Sequence, residues 1–220
     1  MRMRKKKNLA ERVSACSELF VQKLFDTGER PKEKLLIFNS VFGNSNPLWL
    51  EIGCGKGGFV NQAAKANPDI NFLAVEKSEN VAVSALELTK AEQIPNVRYI
   101  IGMAEFLALV IPPHTVERIY LNFSCPFPKE RYAKHRLTHE LFLNIYKQIL
   151  IEDGRIFFKT DNSGFFDFSL ESLSANGFLV QNVTRDLHNS GITGNIITEY
   201  ERLFINLGHK INYLEAIVDK

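Results

Sequence analysis

Leu48-Trp-Leu-Glu-Ile-Gly-Cys-Gly-Lys-Gly-Gly58 is the stretch that decides the fold of this 220-residue chain. It is a short apolar run, Leu48–Ile52, that ends directly in a glycine-rich loop. Glycine lets a backbone turn sharply and approach a ligand with no Cβ in the way. A second apolar run, Asn71–Glu76, ends in a carboxylate that is placed to accept hydrogen bonds from a ribose diol. The two runs predict a nucleoside-binding crevice at the ends of adjacent strands.

Two ligands compete for this crevice. A dinucleotide needs its pyrophosphate at a helix N-terminus, usually through a G-x-G-x-x-G loop. Here the glycines stand at 53, 55, 57 and 58, and the carboxylate of Glu51 comes just before the first of them. A carboxylate repels pyrophosphate but pairs with a cation, and S-adenosylmethionine carries a sulfonium, an ammonium and a ribose without phosphate. The pattern therefore favours S-adenosylmethionine over a dinucleotide. The alternative is that the glycines serve only a tight turn.

Short apolar runs recur along the chain, and segments of helical period separate them. Strands are predicted at Leu48–Ile52, Asn71–Glu76, Val97–Ile101, Arg118–Phe123, Arg155–Lys159 and Phe178–Val183. Helices are predicted near 59–66, 79–93, 131–150 and 163–175. Nearly continuous apolar strands that alternate with helices are typical of a parallel sheet covered on both faces. The pattern predicts a doubly wound α/β domain.

The two ends of the chain depart from this alternation. Leu203–Leu207 and Ile211–Ile217 are strand-like runs with a short connection, which predicts an antiparallel pair at one edge of the sheet. The first 45 residues are interpreted as one amphipathic helix and loops, and a turn cluster at 43–47 marks the start of the core. We therefore expect a basic N-terminal arm and helix (1–45) that packs on a single domain (46–220).

Composition excludes several classes of protein. Hydrophobic residues make up 45% and charged residues 24%, which excludes a disordered chain. Cys16, Cys54 and Cys125 form no C-x-x-C pair, so a zinc site and a disulfide framework are disfavoured and a reducing compartment is indicated. No apolar h-region or membrane-length apolar stretch is present, and we expect a cytoplasmic protein.

The distribution of charge is more informative than its total. The chain has 27 Lys+Arg against 25 Asp+Glu, a net charge of only +2. Residues 1–12 nevertheless hold six basic residues against one acidic, and residues 129–136 hold four against one. Two basic segments of this kind could form one surface that faces a nucleic acid, provided that the N-terminal arm folds towards the loop after the fourth strand.

That loop follows Arg118–Phe123 and is stiffened by two prolines around Phe127. The Phe127 ring could stack on a base, and four cations could contact phosphates: Lys129, Arg131, Lys134 and Arg136. The alternative is a solvated basic helix start. Cys125 is either a covalent nucleophile or, as we favour, a buried or bystander thiol, because the sequence identifies no group that would activate it.

Eight blocks of sequence carry a resemblance to a known family: Met1-Arg-Met-Arg4, Glu51–Gly57, Asn67–Glu76, Asn122–Lys129, Lys134–Leu137, Phe158–Asn162, Leu187–Ser190 and Asn195–Glu201. Over nearly its whole length the chain resembles the bacterial tRNA (guanine-N7-)-methyltransferases. The Pro-x-Pro-Lys and Thr-Glu-Tyr-Glu blocks, in this order, are far more specific than the glycine loop.

The resemblance implies transfer of a methyl group from S-adenosylmethionine to N7 of a guanine in the variable loop of tRNA, with S-adenosylhomocysteine as product and no metal. It implies a Rossmann-like fold with a mostly parallel seven-stranded sheet. It implies a tRNA partner and no membrane, and leaves monomer or homodimer open.

The residues implied to bind the donor are Glu51, Gly53, Gly55, Glu76, Lys77, Met103, Ala104, Asn122 and Cys125. Those implied to bind the substrate are Lys129, Asp161, Thr198, Glu199, Tyr200 and Glu201. His135, Arg136 and His188 are either phosphate contacts or ordinary surface or core polar groups.

The sequence departs from the family at two places. The family typically has Asp-Pro-Trp-Pro-Lys, and here Cys125 replaces the aspartate and Phe127 the tryptophan. N7 of guanine carries no proton, so the reaction needs no general base, and the loss of one hydrogen-bond acceptor costs about 1–3 kcal/mol, or roughly tenfold to a hundredfold in rate. Met103 replaces an acidic or amide residue near the donor adenine, although its backbone N–H could still meet that adenine.

Two rival functions remain. The chain could be a non-catalytic tRNA-binding protein that lost turnover with its aspartate. Alternatively, Ser124–Phe127 could be a degenerate form of the [D/N/S]-P-P-[F/Y/W] loop of exocyclic-amine methyltransferases.

Overall fold

The computed structural model describes residues 4–24 and 32–219. These residues contain eight strands and seven α-helices. The chain divides into two units, Met1–Val110 and Ile111–Lys220. None of the helices in these described ranges is both long and apolar enough to cross a bilayer. The division predicted between residues 45 and 46 stays a prediction.

The N-terminal unit is a parallel α/β arrangement. Its strands are β1 (Phe20–Leu24), β2 (Leu48–Ile52), β3 (Asn71–Glu76) and β4 (Val97–Gly102), and its helices are α1 (Leu9–Ser14), α2 (Phe38–Phe42), α3 (Gly58–Ala66) and α4 (Glu79–Ala91). All three strand pairings are parallel, in the order β1-β4-β3-β2. Every residue of β2 is buried, which explains why all of them except Glu51 are apolar.

The prediction of one helix and loops for the first 45 residues is wrong. α1 has six residues and is followed by a 3-10 turn and by β1, which pairs with β4. This strand raises the number of strands to eight, one more than predicted, and by pairing with β4 it covers what would otherwise be an open sheet edge. The arm packs on α4, where Arg12 donates two hydrogen bonds of 2.6 Å to the Glu87 carboxylate. Residues 1–3 of the basic arm, including Arg2, lie outside the described residues.

The C-terminal unit contains the antiparallel part of the fold. Its strands are β5 (Val116–Asn122), β6 (Leu150–Thr160), β7 (Phe178–Thr184) and β8 (Asn212–Val218), and its helices are α5 (Glu140–Ile149), α6 (Ser163–Ala175) and α7 (Glu199–Asn206). β5 and β6 are parallel, whereas β8 lies between β6 and β7 and is antiparallel to both. The predicted mostly parallel sheet with antiparallel C-terminal strands is confirmed.

Two predicted elements of this unit have a different structure. Leu203–Leu207 is not a strand, because Thr198 caps a helix that continues through Asn206. Phe204 of that helix packs against the buried side chains of Leu187, Ile211 and Tyr213. The helix predicted over 131–150 begins only at Glu140, since the chain is extended at Arg136 and the His139 side chain accepts a hydrogen bond from the first turn of α5.

Candidate functional site

The glycine loop between β2 and α3 leaves its backbone open. Gly53 and Gly55 have left-handed φ angles of +83° and +58°, a region that L side chains rarely adopt. A Cβ built on either residue would meet no described atom within 4 Å. The conformation requires glycine, and the space over these residues lets a ligand approach the main chain closely.

Gly57 serves the same loop in a different way. Its φ is +84°, but here a Cβ would lie 2.9 Å from Ala85 Cβ and 3.2 Å from the Tyr99 hydroxyl. Beneath it, the Thr89 hydroxyl donates to Asn61 Oδ1 at 2.7 Å and lies 2.7 Å from the Tyr99 hydroxyl, which links α3, α4 and β4. Gly57 therefore permits close packing under the loop, whereas Gly53 and Gly55 keep its upper side free.

Glu76 lies at the carboxyl end of β3, directly beside the glycine loop. Its Oε2 accepts a hydrogen bond from the Gly55 amide at 3.2 Å, and its Oε1 accepts one from the Ser78 amide at 2.8 Å. The residue is half-buried, and burial raises the pKa of its carboxyl group. The structure thus brings Gly55 and Glu76 together, and Lys77 beside them is exposed.

The electrostatic surroundings of the loop fit a cationic nucleoside. Glu51 is buried in β2, two residues before Gly53. The pKa of the Cys54 thiol lies well above its usual value, mainly through burial and further through the negative charges of Glu51 and Glu76. A loop in the field of two carboxylates disfavours pyrophosphate and suits the sulfonium and ammonium groups of S-adenosylmethionine.

The end of β4 corrects one expectation. The Met103 amide donates a 2.8 Å hydrogen bond to the Leu24 carbonyl of β1, so it is already engaged and is not offered to an adenine. Gly102 makes this contact possible, because a Cβ there would lie only 2.1 Å from the Leu24 oxygen. The Met103 side chain is half-buried, and the buried Ala104 begins a 3-10 turn.

In the C-terminal unit, β5 ends at the buried Asn122 and continues into a strained loop. Phe123 and Phe127 have positive φ angles of 50° and 41°. Positive φ is costly for bulky residues and persists only where the surroundings hold it, often in loops that carry function. The Cys125 thiol between them is exposed, so the expectation of a buried thiol is wrong; a bystander role remains the prediction.

Arg136 binds the backbone of this loop through its guanidinium group. Its Nε donates to the Pro126 carbonyl and its Nη2 to the Phe127 carbonyl, both at 3.1 Å. Its guanidinium also lies 4.3 Å from the centroid of the Phe168 ring on α6. These contacts direct Arg136 towards the loop rather than to solvent. Its predicted companions Lys129, Arg131 and Lys134 are exposed, as is His135.

The segment predicted to bind substrate at 198–201 divides into buried and exposed side chains. Thr198 and Glu201 are buried and form a capping box at the start of α7, in which each side chain accepts a hydrogen bond from the backbone amide of the other. Glu199 and Tyr200 are exposed, and so is Asp161 just beyond β6. The donor and substrate roles assigned to all these residues stay predictions.

Lys159 is a further residue of this region, for which the sequence alone predicts no role. It lies within β6, and its ammonium group contacts Glu201 at 2.8 Å in a buried ion pair. A lysine in the apolar run Arg155–Lys159 was a signal, since a buried charge needs a partner. The pattern Thr198-x-x-Glu201 also signalled a helix start. In the part of the chain that the structure describes, no group of three or more His, Cys, Asp and Glu side chains is arranged to hold a metal ion.

The chain is similar to known methyltransferases in sequence and in fold. A family model described as "Putative methyltransferase" matches residues 45–214. The structure of the 16S rRNA methyltransferase KamB superposes with a TM-score of 0.61 at 12% identity, and the alignment covers 85% of this chain and 95% of that one.

Two other solved structures are similar. For phosphoethanolamine N-methyltransferase 2 of Haemonchus contortus in complex with S-adenosylhomocysteine, the TM-score is 0.54 at 15% identity; the alignment covers 84% of this chain but only 52% of that enzyme, so this chain spans about half its length. For the [4+2]-cyclase SpnF, the TM-score is 0.55 at 16% identity, covering 80% of this chain and 76% of that one. These likenesses establish the Rossmann-like methyltransferase fold, and the cyclase shows that this fold also carries other activities.

Proposed function

Because the chain belongs to the tRNA (guanine-N7-)-methyltransferase family, we propose that it transfers a methyl group from S-adenosylmethionine to N7 of a guanine in the variable loop of tRNA. The observation that carries the proposal is the open glycine loop beside Glu76. Gly53 and Gly55 leave their main chain accessible, and Glu76 stands at the adjacent strand end.

The residues of the N-terminal unit would hold the donor. The Glu76 carboxylate would accept hydrogen bonds from the ribose hydroxyls, while Gly53 and Gly55 would let the methionyl end lie against the main chain. The negative charges of Glu51 and Glu76 would stabilise a bound cation. When bound, S-adenosylmethionine supplies the methyl group: the N7 lone pair forms the new C–N bond while the C–S bond breaks, and its electron pair stays on sulfur.

The residues of the C-terminal unit would hold tRNA. Lys129, Arg131 and Lys134 are exposed cations that can contact phosphates, and Tyr200 is an exposed ring that can stack on a base. Since N7 has no proton to lose, these residues need only bind and orient the guanine. Neither Cys125 nor any other residue has to act as a general base.

The test is methylation of bulk tRNA with isotope-labelled S-adenosylmethionine, followed by nucleoside analysis. We expect N7-methylguanosine from the wild-type chain and none from Glu76→Ala, the matched donor-site control. Label on an exocyclic amine would instead support the rival methyltransferase function. Absence of any methylated nucleoside, with donor binding intact, would contradict the proposal.

One observation favours a second candidate, a tRNA-binding protein without turnover. Cys125 is exposed where the family carries an aspartate, so this loop lacks a carboxylate acceptor at that position. Tight tRNA binding without methyl transfer, together with activity restored by Cys125→Asp, would select this candidate.

A further inference from the structure

Lys159 is a buried cation that donates three hydrogen bonds to one segment of the chain. The residue is 3% exposed and lies one position before the end of β6. Its Nζ donates to Glu201 Oε2 at 2.8 Å, to Asn195 Oδ1 at 2.9 Å and to the Ile196 carbonyl at 2.9 Å. An ammonium group has three hydrogens to donate, and these three acceptors match that number.

Glu201 is enclosed in the same way. It is 0% exposed, and its Oε2 also accepts from the Thr198 amide at 3.2 Å. Its Oε1 accepts from Asn195 Nδ2 at 2.6 Å and lies 3.2 Å from His188 Nε2. A carboxylate with this many protein contacts and no exposed surface has no free side to offer to a substrate.

The position of this ion pair indicates what it does. A buried ion pair adds little or nothing to stability over a well-packed apolar pair, because both charges lose their hydration. This pair does fix residues 195–201 against the carboxyl end of β6. Asp161 follows two residues after Lys159, and the exposed Tyr200 precedes Glu201. The network therefore sets where the exposed side chains at the start of α7 stand.

We propose that Lys159 is a positioning residue for tRNA methylation, which holds residues 195–201 in the geometry that receives the substrate. Glu201 acts through Lys159 and Thr198 and does not touch the tRNA itself. The inference rests on the proposed function for its substrate, but the restraint on residues 195–201 can be measured without any methyl transfer.

The experiment compares Lys159→Met with Arg155→Met. Both substitutions remove a basic residue of β6 that pairs with a glutamate, but Arg155 lies in the middle of the strand and pairs with Glu215 of β8, away from residues 195–201. At a temperature where both variants are folded, we expect Lys159→Met to lower kcat/KM for tRNA at least about tenfold and to leave KM for S-adenosylmethionine within about twofold. We expect Arg155→Met to change neither constant by more than about twofold. Amide hydrogen exchange in residues 195–206 should accelerate only in Lys159→Met.

The double variant Lys159→Met with Glu201→Gln separates positioning from stability. Removing both charges should restore the melting temperature lost in Lys159→Met, because no charge is left buried alone. It should not restore kcat/KM for tRNA, since the anchors to Asn195 and Ile196 remain absent.

Three results would overturn the inference. These are unchanged kcat/KM in folded Lys159→Met, full recovery of kcat/KM in the double variant, and unchanged exchange in residues 195–206. A wild-type chain that methylates no tRNA would remove the proposed function instead. The exchange measurement would then still show whether Lys159 holds the segment.

Discussion

Replacing Gly57 by alanine should destabilise the chain more than the same replacement at Gly53. Both glycines have φ near +84°, where a Cβ costs about 1–2 kcal/mol. Only at Gly57 does the new Cβ also meet packed atoms, at 2.9 Å from Ala85 Cβ and 3.1 Å from Ala85 Cα. Overpacking of this kind costs about 1–3 kcal/mol more, so Gly57→Ala should lose about 2–5 kcal/mol in total.

The assay pairs thermal unfolding with calorimetric titration of S-adenosylhomocysteine. For a chain of this length 1 kcal/mol corresponds to about 2–4 °C, so the melting temperature of Gly57→Ala should fall about 2–12 °C below that of Gly53→Ala. Binding should show the opposite order. The Cβ of Gly53→Ala projects into the open space of the proposed donor site, and we expect about tenfold weaker binding there.

Equal melting temperatures in the two variants would refute the separation of packing and binding roles among these glycines. So would Gly53→Ala that binds S-adenosylhomocysteine as tightly as the wild-type chain does.

Three further predictions concern other parts of the two units. Arg136→Lys loses the paired donors to the loop carbonyls, so kcat/KM should fall about tenfold and proteolysis of the loop should accelerate. Arg131→Lys keeps an exposed positive charge that can still contact a phosphate, so kcat/KM should stay within about twofold of the wild-type value. Cys125→Asp should raise the rate of methyl transfer about tenfold or more; an unchanged rate would show that this position does not limit the reaction. Because the pKa of Glu76 is raised, the folded chain holds this proton more tightly than the unfolded chain does. The free energy of unfolding should therefore fall as the pH rises from the pKa of Glu76 in the unfolded chain to its pKa in the folded chain. The ribose contact proposed for Glu76 needs the ionised carboxylate, so titrations should show affinity for S-adenosylhomocysteine falling as the pH drops through the raised pKa. Glu76→Gln should bind weakly with no such dependence.

The glycine loop and the position of Glu76 could be predicted from sequence, because the patterns that indicate them lie within short stretches. The strand that ends at Ile52, the glycines after it and the carboxylate of Glu76 are each encoded within a few residues, and the parallel pairing of β2 and β3 brings them together. The engagement of the Met103 amide could not be predicted in this way. It depends on β1, whose pairing with β4 joins residues about eighty positions apart.

The segment around α7 shows a different difficulty, since one pattern had two meanings. Thr198-Glu-Tyr-Glu201 matches the substrate motif of the family, and the same spacing is also a capping box that starts a helix. The apolar residues of Leu203–Leu207 by themselves predict a strand as readily as a helix, because a short apolar run fits either element. The direction of the Arg136 side chain could not be predicted from sequence either, because only the folded loop presents the carbonyls that it binds.

The position of β8 has a consequence for how the C-terminal unit folds during synthesis. β8 is the last of its four strands to leave the ribosome, yet it lies between β6 and β7 and bonds to both. Until residues 212–218 emerge, β6 and β7 each present an unpaired edge, which is the feature that promotes association between nascent chains. Translation that stalls or stops shortly before residue 212 should therefore yield an aggregation-prone product rather than a slightly shortened enzyme.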